Sequence, residues 1–256
     1  MKYTQMVMGL LIGTALGGSV IALTGTTNPT TATPSGAVNA DAVRKIVRET
    51  ITAEPELIIQ SVQKYQEAKH AKDAQGASDA LKDANLRAQV YDTTHAATVG
   101  PADSKRVIVE FFDYNCPACK MEAKAFQEIV TKDKTVRIIF REYPIFGPVS
   151  ENNSRLGLAV ARLSPEKYFA FYEKMMGHQG HAEEKDTLAI IKDLGLDVEK
   201  VKAESQTPAV AEILEANSKL GDALHIQGTP TLVVGNEIIP HAASPEELLA
   251  KLGAAK

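Results

Sequence analysis

From Met6 to about Leu23 the chain carries an apolar run interrupted by Gly9, Gly13, Gly17 and Gly18, with Lys2 as the single charge in its first 40 residues. Such a segment reads as a signal peptide, residues 1–22, with cleavage as late as Ala40 as a variant. The alternative is an uncleaved anchor, because the run approaches the roughly 18 apolar residues at which spanning begins. Residues 23–40, rich in Thr, Pro, Ser, Gly and Ala, have no apolar period and read as a flexible linker. A helical period then takes over, with Asp41 as the expected N-cap and Pro55 in the first turn of a second helix. Helix-forming residues continue to about Val90, with a break expected at Gly76 and Ser78. Ile46, Ile51, Leu57, Ile58, Val62 and Tyr65 make only a narrow apolar stripe. Residues 41–90 are therefore expected to form a helical oligomerisation region, the alternative being a helix folded back on its own domain.

The period changes near Tyr91. RVIVEFFDY, residues 106–114, and VRIIFREYP, residues 136–144, are β-branched and aromatic runs that predict buried strands. Between them KMEAKAFQEIVTK has helical spacing, with Met121, Phe126, Ile129 and Val130 expected near one face. About 151–222 reads as a block of helices, one of them opened by Ser164 and Pro165, and TPTLVVGNEIIPH alternates around Gly235-Asn236 as a hairpin. SPEELLAKLG predicts a last helix. The order strand, helix, strand, helical block, hairpin, helix predicts an α/β domain over 91–256 with a helical insertion.

Composition narrows the function. With 44% apolar and 23% charged residues the chain can bury a full core. Its 28 basic and 32 acidic residues form no clustered basic face, which argues against nucleic acid as a partner. Both cysteines fall in FFDYNCPACKMEAKAF, as Cys116 and Cys119. A bridge across two residues closes too small a loop to restrain the unfolded chain much, so a structural staple is a poor explanation. Cys116 lies where the strand ends and the helix begins. Unpaired backbone N–H groups and the helix dipole there favour thiolate, which is the nucleophile of disulfide exchange. Cys119, one turn on, is placed to resolve a mixed disulfide. No cofactor is called for.

EFFDYNCPAC followed by GTPT resembles the thioredoxin-fold thiol:disulfide oxidoreductases of the bacterial DsbA/DsbC/DsbG group, over about residues 91–256. The resemblance implies a thioredoxin fold with a helical insertion. It implies a cis-proline at Pro230, preceded by Thr229, in a substrate-binding loop, and a buried acid at Glu110 that carries protons to and from the inner thiol. Pro117 and Ala118 fill the positions between the cysteines; the DsbA oxidases usually have histidine where Ala118 stands, which puts the oxidising power in question. The helical region ahead of the domain resembles the amino-terminal oligomerisation segments of DsbC-like and ScsC-like isomerases. The expected activity is formation or isomerisation of disulfides in unfolded or misfolded exported proteins, in the periplasm. A homodimer or higher homo-oligomer and a membrane redox partner of DsbB or DsbD type are expected with it.

Two other classes compete. His178 and His181 form an H-x-x-H that could complete a structural Cys2His2 zinc site with the two cysteines. A holdase or assembly scaffold would use residues 41–90 to associate and the exchange domain as a passive binder. His225, near the GTPT loop, could tune the thiolate, and Tyr114 and Asn115 could shape the rim of the site.

Overall fold

A computed structural model describes residues 39–94 and 96–254. The apolar run from Met6 and the linker up to residue 38 lie outside the described residues. No helix among the described residues is long and apolar enough to cross a membrane. The chain divides into two compact units, one ending at Pro55 and one running from Glu56.

The first unit holds α1 (Ala40–Ala53). Its cap is Asn39, not Asp41: the Asn39 carboxamide accepts the backbone N–H of Asp41 and Ala42, which leaves Asp41 inside the first turn, where a carboxylate favours the helix dipole. No residue of α1 is buried, and Val43, Ile46, Val47 and Ile51 are exposed.

The second unit begins with α2 (Glu56–Ala80) and α3 (Ala84–Tyr91). Then come β1 (Ala97–Val99), β2 (Arg106–Phe112), α4 (Pro117–Lys132) and β3 (Val136–Glu142). Five helices follow: α5 (Pro148–Leu163), α6 (Pro165–Gly177), α7 (Glu184–Asp193), α8 (Val198–Ser205) and α9 (Pro208–Ala223). The hairpin β4 (Thr231–Val234) and β5 (Glu237–Ile239) and the helix α10 (Pro245–Ala254) close it. The sheet order is β1-β3-β2-β4-β5. β2 and β3 are parallel, and β1, β4 and β5 join antiparallel. Gly235 at φ 61° makes the two-residue turn of the hairpin possible. This is the thioredoxin fold, with α5 to α9 as the helical insertion.

The central strand β2 is buried on both faces, and its alternation decides what each residue meets. Ile108 and Phe112 join the larger core with Phe126, Phe140, Tyr172, Leu232 and Leu248. Glu110, between them in the same phase, is aimed into that face. Val109 and Phe111 join the opposite core, with Ile139, Val233, Leu220 and Leu224 and also with Ala77, Leu81 and Val90. Packing around the sheet therefore starts ahead of Tyr91. It also explains why Gly76 and Ser78 do not break α2: burial of Ala77 and Leu81 outweighs the roughly 1 kcal/mol that a glycine costs inside a helix. The break comes at Asp83, whose carboxylate caps α3. Upstream of Ala77, α2 exposes Leu57, Ile58, Ile59, Val62 and Tyr65.

Two elements, β1 and α8, have no counterpart in the sequence reading, and two local expectations differ. β1 has three residues, too few to show a period, and α8 opens on an Asp197 cap inside a polar stretch. Ser164 stands at the N-cap of α6 but its hydroxyl makes no cap hydrogen bond there. On α4 Met121 is 64% exposed, and the buried face instead carries Cys119, Glu122, Ala123, Phe126 and Ile129.

Beneath the start of α4 the Tyr114 ring packs edge-on against Phe112, at 4.9 Å and 89°, and against Phe171, at 5.7 Å and 77°. A Cβ at Gly157 of α5 would lie 2.4 Å from the Tyr114 hydroxyl and 3.0 Å from two ring carbons. The ring is held from both sides and has no room to give way. Gly157→Ala is accordingly expected to destabilise the domain by about 1–3 kcal/mol, the usual cost of overpacking, in urea unfolding; unchanged stability would contradict this contact.

Candidate active site

β2 ends at Phe112, and the next four residues turn the chain into α4. The Asp113 carboxylate accepts the N–H of Asn115 (2.8 Å), Ile145 (2.8 Å) and Phe146 (3.1 Å), tying the loop after β2 to the loop after β3. The Cys116 N–H donates to the Asp113 carbonyl at 3.0 Å. Asn115 is clamped to Ala182 through both polar atoms of its side-chain amide, Nδ2 donating to the Ala182 carbonyl (3.3 Å) and Oδ1 accepting its N–H (2.7 Å). The rim role considered for Asn115 thus has a geometry: it fixes the edge of the insertion against the start of α4. Tyr114 is fully buried and lies beneath that rim.

Cys116 is the N-cap of α4, with Pro117 at the first helical position. Its Sγ accepts the Cys119 N–H at 3.4 Å and lies 3.1 Å from the Thr229 carbonyl, to which the thiol donates. The Thr229–Pro230 peptide bond is cis. Cys116, Cys119, Thr229 and Pro230 thus come together across more than a hundred residues of chain. Both cysteines are free thiols.

The two sulfurs differ in ionisation. Cys116 is pulled down to about 6, chiefly by the hydrogen bond from the Cys119 thiol, then by the Thr229 side chain and the N–H groups of Cys119 and Ala118, against the opposing effect of burial. The Thr229 hydroxyl is otherwise buried without a hydrogen-bond partner, so it is a donor free to turn to the thiolate once the thiol proton has left. Ala118 contributes its backbone N–H where a side-chain donor is absent. Cys119 is fully buried, and burial pushes its thiol well up, with the Cys116 contact and the charges of Glu110 and Cys116 acting in the same sense. At neutral pH the outer sulfur is a thiolate and the inner one a thiol.

Glu110 is completely buried. The Tyr172 hydroxyl of α6 donates to its carboxyl, 3.0 Å from Oε2 and 3.3 Å from Oε1. Burial raises its pKa well above the usual carboxylate range; the nearby Glu122 adds to the shift and Tyr172 opposes it. Two further buried acids escape a reading of the sequence. Burial pushes Glu122 up to about 8, against the N–H of Ala243 that its Oε1 accepts at 3.1 Å. Burial pushes Glu142 up to about 7, and its Oε1 accepts the Tyr168 hydroxyl at 2.8 Å, whose own oxygen lies 3.3 Å from that of Tyr114. Tyr172 was also missed. The one available signal was an acid at Glu122, three residues after Cys119 on the face that Phe126 and Ile129 share.

The histidines of the H-x-x-H are not brought to the cysteines. His178 Nε2 lies 3.8 Å from Asp186 and His181 Nδ1 lies 3.7 Å from Glu183. What meets α4 from that loop is backbone, the carbonyls of His178 and Gly180, which accept from Lys120 Nζ. Among the described residues no three His, Cys, Asp or Glu side chains are placed to hold a metal ion. His225 has a left-handed φ of 55° at the end of α9, and its carbonyl accepts from Gln227 at 3.3 Å.

The raised acids link ionisation to stability. Folded, they hold protons that the unfolded chain gives up above about pH 4–5. Their stabilising contribution is complete below that range and is lost as pH rises through about 7 for Glu142 and about 8 for Glu122. Cys116 has the opposite sign, adding stability as pH rises from about 6 toward the ordinary thiol value. The acids outnumber it. In urea unfolding of the reduced protein, stability is expected to fall from pH 5 to pH 8, by up to about 1.4 kcal/mol per pH unit for each acid still titrating. Glu142→Gln, which keeps an acceptor for Tyr168, should flatten the slope below pH 7, whereas a wild-type curve that is level or rises over this range would contradict the burial of these carboxyls as acids.

A model of the DSBA-like thioredoxin domain matches residues 107–253. Disulfide bond formation protein D of Bacillus subtilis is 27% identical over 160 residues, covering 59% of this chain and 72% of that protein. A thioredoxin-like oxidoreductase from Silicibacter pomeroyi superposes with a TM-score of 0.63 at 32% identity, covering 66% of this chain and 96% of the other. ScsC of Proteus mirabilis, in a transitional conformation, gives a TM-score of 0.63 at 28% identity over 86% of this chain and 97% of its own. With a thiol of lowered pKa at a helix N-terminus, a buried partner thiol and the matched domain model, the chain belongs to the DSBA-like thioredoxin domain family of thiol:disulfide oxidoreductases.

Proposed function

We propose that this protein forms and isomerises disulfides in exported proteins in the periplasm, with Cys116 as the attacking sulfur and Cys119 as the resolving one. The observation that carries the reading is the placement of the two sulfurs: Cys116 caps α4, accepting the Cys119 N–H at 3.4 Å and lying 3.1 Å from the carbonyl of Thr229 before the cis-proline, while Cys119 is fully buried one turn on; this lowers the outer thiol to about 6 and raises the inner one. In isomerisation the Cys116 thiolate attacks a wrong substrate disulfide, forms a mixed disulfide and releases a substrate thiolate. A second substrate thiolate then displaces Cys116, or Cys119 attacks the Cys116 sulfur, closing the Cys116–Cys119 disulfide and releasing the substrate as a thiolate, which leaves it reduced. In oxidation a substrate thiolate attacks Cys116 in the Cys116–Cys119 disulfide, and Cys119 leaves with the electron pair. Glu110 is the proton carrier for that inner sulfur. Thr229 and Pro230 offer backbone beside Cys116 along which an extended peptide can lie.

The isomerase assignment rests on association. α1 exposes Ile46 and Ile51 and α2 exposes Ile58 and Val62. Apolar surface of this kind supports a homo-oligomer in which several sites share one misfolded client. A membrane protein of DsbB type would keep the pair oxidised and one of DsbD type would keep it reduced.

Two substitutions separate the parts. Cys116→Ser is expected to bring repair of scrambled ribonuclease to background, while Cys119→Ser accumulates mixed disulfides; full repair by the Cys116→Ser chain would leave a passive binder as the better reading. Replacing Ile46 and Ile58 together by Glu is expected to yield a monomer in sedimentation that still oxidises a reduced peptide but repairs scrambled disulfides poorly. Undiminished repair by that monomer would remove the isomerase role from residues 41–90.

A further inference from the structure

At the end of the sheet away from the cysteines, a groove of about 780 Å³ opens between α3, the segment leading into β2 and the β4–β5 turn. Val107 near the start of β2 and Arg137 near the start of β3 line it, whereas Cys116 follows the far end of β2. The seven residues of that strand separate the two places by roughly 20 Å. The walls of the groove are fixed by hydrogen bonds. The Tyr91 hydroxyl donates to the Gly235 carbonyl (2.8 Å) and Arg87 Nη1 to Asn236 Oδ1 (3.2 Å), joining α3 to the turn. The Ser104 hydroxyl donates to the Thr135 carbonyl (2.6 Å) and accepts the Arg106 N–H (3.0 Å), which holds the segment carrying Lys105. Arg137 donates from Nη1 to the Ala102 carbonyl (2.7 Å) and from Nη2 to the Thr98 hydroxyl (3.4 Å). Small-molecule sites are cavities of about 300–1,000 Å³ with walls set before the ligand arrives, and this groove meets both conditions.

Charge decides what the groove can hold. Arg87, Lys105 and Arg137 line it from separate walls, and the hydrogen bonds of the two arginines all go to neutral groups. Among the described residues none of the three cations is paired with a carboxylate. Their neighbours are paired: Arg106 with Asp133, and Lys251 with Glu237, the carboxylate that lines the groove. Three positive charges are thus left together in a chain whose net charge is −4. They repel one another, and an anion among them offsets that repulsion and takes their remaining N–H donors. Cations on three walls suit a ligand whose anionic groups are spread along its length. We propose that this groove binds a small polyanion, a molecule carrying two or more carboxylate or phosphate groups, held by Arg87, Lys105 and Arg137. The site is separate from the exchange reaction and does not rest on it.

The test is an NMR titration of the isotope-labelled full chain at low salt with citrate, with pyrophosphate and with tetraglutamate. Citrate or pyrophosphate is expected to shift the amides of Arg87, Lys105, Arg137 and Asn236 to saturation, with a dissociation constant of about a millimolar or less that rises with added sodium chloride. Whichever of the two binds more tightly tells carboxylate from phosphate. Arg87 and Lys105 are exposed, so Arg87→Gln and Lys105→Gln leave the fold in place; each is expected to weaken binding about tenfold. Ala88→Trp, at an exposed position of the same wall, fills the groove without changing its charge and is expected to abolish binding. All three variants are expected to exchange disulfides at the wild-type rate. Shifts that never saturate overturn the proposal, as does binding that survives both R87Q and K105Q or that survives A88W. Saturable binding of tetraglutamate alone overturns it too, and assigns the groove to an acidic polypeptide instead.

Discussion

A negative charge on one sulfur, held at the first turn of α4, is the constraint on which the rest of this site depends. A thiolate in a pocket only 3% exposed is stable only if its donors are fixed before it forms. Here they are the Cys119 thiol and N–H, the Ala118 N–H and the hydroxyl of Thr229, brought in from a loop more than a hundred residues away. The β2-to-α4 turn sets the direction of the helix, and Asp113 and Asn115 fix that turn to the loop after β3 and to the helical insertion. The sheet places the Thr229 loop opposite because β4 pairs antiparallel with β2.

The same burial that sharpens the outer sulfur makes proton transfer to the inner one difficult. Cys119 is fully buried. β2 buries Glu110 by the alternation of a strand buried on both faces, and α4 buries Glu122 one helical turn after Cys119; in the proposed function it is Glu110 that carries the proton of the inner thiol. Both acids hold protons at the expense of stability at alkaline pH. Such groups persist in a core where chemistry has a use for them.

Much of this was readable from the chain. The C-x-x-C between strand and helix, the Gly235-Asn236 hairpin and the helical block follow from local patterns that the tertiary structure keeps, whereas the cis-proline at Pro230 and the buried acid at Glu110 were expected only from the family resemblance. Other features depend on contacts no local pattern carries. The persistence of α2 through Gly76 is decided by Ala77 and Leu81 meeting the far face of the sheet, which also moves the start of that core ahead of Tyr91. Met121, expected near the apolar face, is exposed and Glu122 is buried, because helix phase on α4 is set by Cys119 and Phe126. Tyr172 is a core aromatic by every sequence criterion; its role is visible only once α6 lies over β2. The H-x-x-H points the other way, a metal spacing whose imidazoles turn toward Asp186 and Glu183.

The most direct test of the account is the titration of Cys116, followed by ultraviolet thiolate absorbance in the reduced protein, with Cys116→Ser subtracted as reference. The account predicts a single transition near pH 6, with the Cys119 signal absent until far more alkaline pH. A Cys116 midpoint near 9, the value of an unperturbed thiol, would contradict it.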